Sequence, residues 1–223
     1  MTNLKELVGR KAADYVENGM IVGLGTGSTA YYFVDELAVR MKKGLNIVGV
    51  TTSKATEEQA KQLGIPLKSI DEVESIDVTV DGSDEVNPRF NGIKGGGGAL
   101  LFEKIVASRS KRVIWIVDQS KCVDTLGAFP LPVEVVKYGS THLLHYFETK
   151  GYQPVLRHKD NQVYVTDDGN YIIDLHLKEI VDEYALAKEL DSLTGVVEHG
   201  LFLDLTQLVL VGTEQGVQIK EHV

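Results

Sequence analysis

Met20-Ile-Val-Gly-Leu24, running directly into Gly25-Thr-Gly-Ser-Thr29, is the most informative stretch of the chain. Its first half is a short unbroken apolar run, the pattern of a strand buried on both faces. Its second half is a glycine-rich turn, and a helical pattern follows to about Lys42. Upstream, residues 3–18 place Leu4, Leu7, Val8, Ala12, Tyr15 and Val16 near helical spacing. Downstream the alternation repeats. Asn46-Ile-Val-Gly-Val50 predicts a strand, Ser53 caps a helix to about Leu63, and Pro66-Leu-Lys68 predicts a short third strand. Ile76-Asp-Val-Thr-Val80 is another strand, Gly95 to Ala107 a glycine turn entering a helix, and Arg112-Val-Ile-Trp-Ile-Val117 a strongly apolar strand. Strands alternating with helices at this spacing predict an α/β fold with a Rossmann-like, mostly parallel sheet and helices on both faces.

The pattern changes near Pro130-Leu-Pro-Val-Glu-Val-Val136. Strands at 152–157, 162–166 and 170–176 partly alternate, are joined by polar turns such as Asp167-Asp-Gly-Asn170, and are flanked by helices at 140–150 and 182–192. That is an antiparallel α+β signature. The expected organisation is a larger α/β domain of residues 1–128 and 200–223, with a smaller α+β domain of residues 129–199 inserted into it. The strands Leu208-Val-Leu-Val211 and Val217-Gln-Ile219 are expected to return to the first sheet.

Lys and Arg total 23 against 32 Asp and Glu, a formal net charge of −9. With no face rich in Lys and Arg, nucleic acid is disfavoured as a partner. A single cysteine, Cys122, excludes an internal disulfide framework and fits a reducing compartment. Met1 to Asp14 carries charges throughout and lacks the apolar region of a signal peptide. No run approaches the roughly 18 apolar residues of a membrane span. These features predict a soluble, cytoplasmic protein without a membrane partner.

Strand, Gly25-Thr26-Gly27-Ser28-Thr29, then helix is an anion site by construction. Small residues let a ligand approach the backbone, and the helix N-terminus adds partial positive charge. Ala30 breaks the Gly-x-Gly-x-x-Gly order and no Walker lysine follows, so a small phosphate is favoured over a nucleotide. An ordinary strand–helix turn is the bland alternative. Asp81-Gly82-Ser83-Asp84-Glu85 ends a buried strand, where open α/β sheets put their ligands. Three carboxylates in five residues need partners if buried. Asp81 and Asp84 can bind hydroxyls, or the segment is a solvated turn. Lys94-Gly95-Gly96-Gly97-Gly98 carries a large conformational entropy, so something must approach that backbone closely. Glu103, on the helix that follows, lies along an apolar edge with Ala99, Leu100 and Ala107, where desolvation favours a general base. Lys121, in Asp118-Gln-Ser-Lys121, follows another buried strand and is either a phosphate contact or a surface cation. His142 and His145 are the one histidine pair at helical spacing. There is no His-Glu-x-x-His, no cysteine pair and no Gly-x-Ser-x-Gly, so neither a metal nor serine hydrolase chemistry is expected.

Taken in order and spacing, Gly25–Thr29, Asp81–Glu85, Lys94–Gly97 with Glu103, and Asp118–Lys121 resemble ribose-5-phosphate isomerase of the A type. Phe129-Pro-Leu-Pro-Val-Glu-Val135 and Gly195-Val-Val-Glu-His-Gly-Leu-Phe202 are similar to later segments of that family. The resemblance implies reversible interconversion of D-ribose 5-phosphate and D-ribulose 5-phosphate through an enediol, without metal or other cofactor, in the pentose phosphate pathway. Carried over by position, Glu103 moves the proton, Asp81 and Asp84 hold hydroxyls and assist ring opening, and Lys94 stabilises the oxyanion. Substrate binding is implied for Thr26, Gly27, Ser28, Thr29, Gly82, Ser83, Gly95, Gly96, Gly97 and Lys121, and by a looser match for Lys5. The family also implies a homo-oligomer, dimer or tetramer. Ser83 stands where Ala is common, and Phe102 precedes Glu103 where Arg is frequent, so the surroundings of Glu103 are expected to be more apolar. The rival readings are a sugar-phosphate-sensing domain, which would not need Glu103, and another enzyme of the same broad fold, such as a CoA transferase, which would use a glutamate as nucleophile, or a sugar-phosphate deaminase or lactonase.

Overall fold

The computed structural model describes residues 3–222. The chain divides into two compact units. Met1–Ser83, Phe102–Cys122 and Asp204–Val223 form the first, and Asp84–Leu101 with Val123–Leu203 form the second.

In the first unit, β1 (Ile21–Leu24), β2 (Val48–Thr51), β3 (Val78–Gly82), β6 (Val113–Asp118), β14 (Leu208–Thr213) and β15 (Gly216–Glu221) build one sheet. Its order is β15-β14-β6-β3-β1-β2, parallel throughout except that β15 runs antiparallel to β14. Adjacent residues of β1 explain its unbroken apolar run. Val22 and Leu24 pack with Val8 of helix α1 (Leu4–Ala12) and with Phe33 and Leu37 of α2 (Ala30–Met41). Ile21 packs instead with Val50, Ile76 and Val106, the last from α4 (Leu100–Ser108). A strand covered on both faces has no polar positions to alternate with. Ser53 caps α3 (Lys54–Gln62) by accepting the Thr56 N–H at 3.2 Å. The strand expected at Pro66–Lys68 reduces to a single bridge between Leu67 and Gly49. No helix is long and apolar enough to cross a membrane among the described residues.

The second unit carries an antiparallel sheet ordered β12-β7-β11-β8, from Val196–His199, Leu131–Val135, Tyr171–Leu175 and Pro154–Leu156. Leu131, Val133, Val135, Ile173 and Leu175 share one face and pack on α5 (Ser140–Thr149) and α6 (Glu183–Asp191). The strand expected over 162–166 is only Gln162–Val163 (β10), paired with His158–Lys159 (β9). A third small sheet joins β4 (Glu85–Val86), β5 (Gly92–Ile93) and β13 (Leu201–Phe202). This pairing draws residues 84–101 into the second unit, although the sequence expectation left them in the larger domain.

The other face of the four-stranded sheet holds Glu134, 1% exposed. Burial pushes its carboxyl above the ordinary range, and hydrogen bonds from Asn170 and Thr166 at 3.0 and 2.8 Å only partly oppose this. A carboxyl raised in the folded state stabilises the fold while protonated and loses that contribution as pH rises through its raised value. The melting temperature of Glu134→Gln relative to the parent is therefore expected to climb between pH 4 and pH 8, by about 2–4 °C per kcal/mol relieved. A difference that stays constant with pH would contradict the assignment.

Candidate active site

The turn after β1 is shaped by a close approach. A Cβ at Gly25 would stand 2.3 Å from Asp81 Oδ1 and 2.5 Å from the Val80 carbonyl oxygen. Asp81, at the end of β3 and 2% exposed, accepts the Thr26 N–H at 3.0 Å and the Gly82 N–H at 2.8 Å. One amide expected to face a ligand is therefore held by Asp81. The Thr26 hydroxyl also turns inward, 2.7 Å from Thr52 Oγ1 and 2.8 Å from Ser53 Oγ, while Thr56 Oγ1 donates to the Gly25 carbonyl. Thr29 is the N-cap residue of α2. The sequence reading missed this buried hydroxyl network, for which the Thr51-Thr-Ser53 run and Thr56 were the available signal.

Outside the network lies a cavity of about 450 Å³, lined among others by Lys5, Thr26, Gly27, Ser28, Tyr31 and Gln59. The Lys5 ammonium donates to Ser28 Oγ at 2.9 Å. A cation, a hydroxyl and the N-terminal end of α2 on one wall suit a small anion.

The crowded acidic run resolves into separate backbone contacts. Asp81 is bound as above. Asp84 Oδ2 accepts the Gly96 N–H at 2.8 Å. Glu85, 4% exposed, takes the Gly127 and Phe129 N–H groups at 2.7 and 2.6 Å and so anchors that loop. Amide donors stabilise each charge where it is buried. Ser83 links Asp81 to Asp84 at the end of the first unit's strand.

Lys94 is 3% exposed, donates its backbone N–H to the Gly200 carbonyl at 2.9 Å, and holds its ammonium 5.4 Å from the centre of the Phe202 ring. Gly96 and Gly98 after it are crowded by the protein itself. A Cβ at Gly96 would lie 2.8 Å from Asp84 Oδ1, and one at Gly98, where φ is +81°, 2.2 Å from Tyr164 Oη. Arg157, between β8 and β9, reaches the same turn, donating to the Gly95 carbonyl at 2.9 Å. Nothing local in the sequence marks Arg157 or Tyr164 as partners of a turn some 60 residues away.

Glu103 stands in the first turn of α4 and is 6% exposed, with Ala99, Leu100 and Ala107 along the same edge also buried. Phe102 lines a separate cavity of about 600 Å³ with Val50, Leu67, Ile105 and Val106, rimmed by Lys54 and Lys68. Lys121 ends a short 3₁₀ turn and is half-buried. Glu103 and Lys121 belong to the first unit with Lys5, Thr26–Thr29 and Asp81–Ser83, and Asp84, Lys94 and Gly95–Gly97 to the second.

One group among the described residues has the spacing of metal ligands: Asp191, Glu198 and His199, within 4.8 Å of one another. His199 Nδ1 accepts the Leu201 N–H at 3.2 Å, which assigns the ring proton to Nε2, facing Asp191 Oδ1 at 3.2 Å. An ion on Nε2 would move that proton onto Nδ1, against the Leu201 N–H. The ring is therefore a hydrogen-bond donor to Asp191. His145, of the pair flagged in the sequence, is exposed and 3.4 Å from Glu148.

The family model for ribose 5-phosphate isomerase A (phosphoriboisomerase A) matches residues 48–216. The ribose-5-phosphate isomerase A of Enterococcus faecalis (strain ATCC 700802 / V583) is 64% identical over 216 residues, 96% of either chain. A solved D-ribose-5-phosphate isomerase in complex with phospho-erythronic acid superposes with a TM-score of 0.96 at 38% identity, over all of both chains. The ribose 5-phosphate isomerase A of Methanocaldococcus jannaschii does so at 0.94 and 39% identity, over 99% of each. The chain belongs to the ribose 5-phosphate isomerase A family.

Proposed function

We propose that this chain interconverts D-ribose 5-phosphate and D-ribulose 5-phosphate by proton transfer through an enediol, with Glu103 as the base. The observation that carries the reading is a buried carboxylate in the first turn of a helix entered directly from a glycine turn and Lys94. Glu103 takes the proton from C2 of the open-chain aldose, the electron pair forms the C1–C2 double bond, and the C1 oxygen gains the charge. Returning the proton to C1, as the O2 proton passes to the charged C1 oxygen, gives the ketose. The charged oxygen needs a cation or amide donors, which Lys94 and the Gly95–Gly97 backbone supply in place of a metal. Asp81 and Asp84 hold sugar hydroxyls and assist ring opening, with Gly82 and Ser83 between them.

The phosphate occupies the cavity beside Lys5, Gly27 and Ser28, with Thr26 and Thr29 shaping its wall and Lys121 as a further substrate contact. Binding energy from this remote group positions the reacting carbons. A cytoplasmic location, a place in the pentose phosphate pathway and a homodimer or tetramer complete the reading. They are supported by the family, and the location also by the single cysteine.

Ketose formation from ribose 5-phosphate is expected to persist in excess chelator, with a substrate C–H exchanging against deuterated solvent during turnover. Loss of activity on chelation, or turnover with no solvent deuterium incorporated, would sink this reading in favour of metal-assisted hydride shift.

A further inference from the structure

The Gly95–Gly98 turn is gripped at each of its peptide units. In a planar trans peptide the carbonyl and the following N–H point in opposite directions, so fixing one aims the other. Arg157 Nη1 donates to the Gly95 carbonyl at 2.9 Å, and the N–H of that unit, on Gly96, meets Asp84 Oδ2 at 2.8 Å. The same Nη1 donates to the Gly96 carbonyl at 3.3 Å. The Tyr164 hydroxyl donates to the Gly97 carbonyl at 3.3 Å, and the Gly98 N–H returns to the Gly95 carbonyl at 2.9 Å. That leaves the Gly95 and Gly97 N–H groups with no acceptor among the described residues, and of the two only Gly97 is exposed.

Arg157 is itself held. Its Nε and Nη2 lie 2.8 and 2.5 Å from the two oxygens of Asp174, both side chains being largely buried, and its backbone N–H donates to the Ile172 carbonyl. A bidentate carboxylate fixes the plane of a guanidinium and leaves its remaining N–H free to aim elsewhere, which an ammonium cannot reproduce. Tyr164 lies under the same guanidinium, 5.9 Å from its carbon. Burial raises its phenol, so it stays a protonated donor.

We infer that Arg157, clamped by Asp174, is a positioning residue for the isomerisation proposed above. It holds the Gly95 and Gly96 carbonyls on one side of the turn and thereby aims the Gly97 N–H, on the other, at the substrate oxygen that gains negative charge. The inference rests on that functional reading for the identity of the oxygen, and on the contacts alone for the ordering of the turn.

Two variants test it: Arg157→Ala, and the double variant Arg157→Gln with Asp174→Asn, which removes both buried charges together and so avoids leaving one unpaired. Both are expected to lower kcat for ribose 5-phosphate by about 10- to 100-fold while KM stays within about threefold, the signature of an interaction made in the transition state. Millimolar guanidinium is expected to restore part of the Arg157→Ala rate, and Arg157→Lys to remain impaired. Amide exchange at Gly96 and Gly98, whose N–H groups are bonded in the parent, should quicken in both variants. Native kcat in the double variant, or unchanged exchange at these amides, would overturn the inference. Measuring Glu103→Gln alongside separates the two ideas: if that variant is inactive while the Arg157 variants are native, only the Arg157 assignment fails. If the parent shows no isomerisation, the functional reading fails and the exchange rates alone decide whether Arg157 orders the turn.

Discussion

Glu103→Gln is expected to abolish isomerisation while leaving ribose 5-phosphate binding within a few-fold of the parent. The substitution keeps the length and shape of the side chain and removes the capacity to carry a proton away. A positioned general base contributes about 10²- to 10⁴-fold, and here the same group also returns the proton, so the loss should fall at the upper end. Binding is spared because the phosphate is assigned to the separate cavity beside Lys5 and Ser28. Solvent deuterium should also cease to enter the substrate, since exchange and turnover share the abstraction step. Glu103→Asp withdraws the carboxylate by about one ångström and is expected to retain a small residue of activity, because misplacement on that scale costs about 10²-fold. Near-native turnover in the glutamine variant would remove Glu103 from the mechanism.

Gly25→Ala is expected to damage stability and turnover together. The new methyl group meets Asp81 Oδ1 at 2.3 Å and the Val80 carbonyl at 2.5 Å, and the second of these is backbone in the middle of the parallel sheet. A rotamer change cannot relieve it. Overpacking of this kind costs on the order of 3 kcal/mol, or about 6–12 °C in melting temperature for a chain of this size. Whatever folded protein remains must displace Asp81, breaking its bonds to Thr26 and Gly82. A variant melting within about 2 °C of the parent, with its kcat intact, would show that the turn has room the geometry denies.

The parallel sheet was legible because its physics is local. A strand buried on both faces must be apolar at every position, and Val22, Val80 and Ile114 advertise that in runs of five or six residues. The hairpin of Glu85–Val86 and Gly92–Ile93 was not legible, since two-residue strands carry no period. Their partner, Leu201–Phe202, lies more than a hundred residues on. Residues 84–101 therefore read as part of the unit they follow in sequence. At the candidate site, glycine and carboxylate clusters showed where the backbone is crowded, but not by what. The close approach at Gly96 and Gly98 is made by Asp84, Phe129 and Tyr164, and the acidic run is stabilised by amides drawn from three different loops. Long-range partners such as Arg157 leave no imprint next to the residues they hold.

The position of β14 between β6 and β15 bears on how the protein is made. β6 ends at Asp118 and its second neighbour begins only at Leu208. As a nascent chain emerges from the ribosome, Val113–Asp118 is an apolar strand with one open edge for the whole time residues 119–207, most of the second unit among them, are being synthesised. Such an edge invites pairing with other chains, and the long loop delays its proper closure. The interval between these two strands is thus the stretch of synthesis in which chaperone protection matters most.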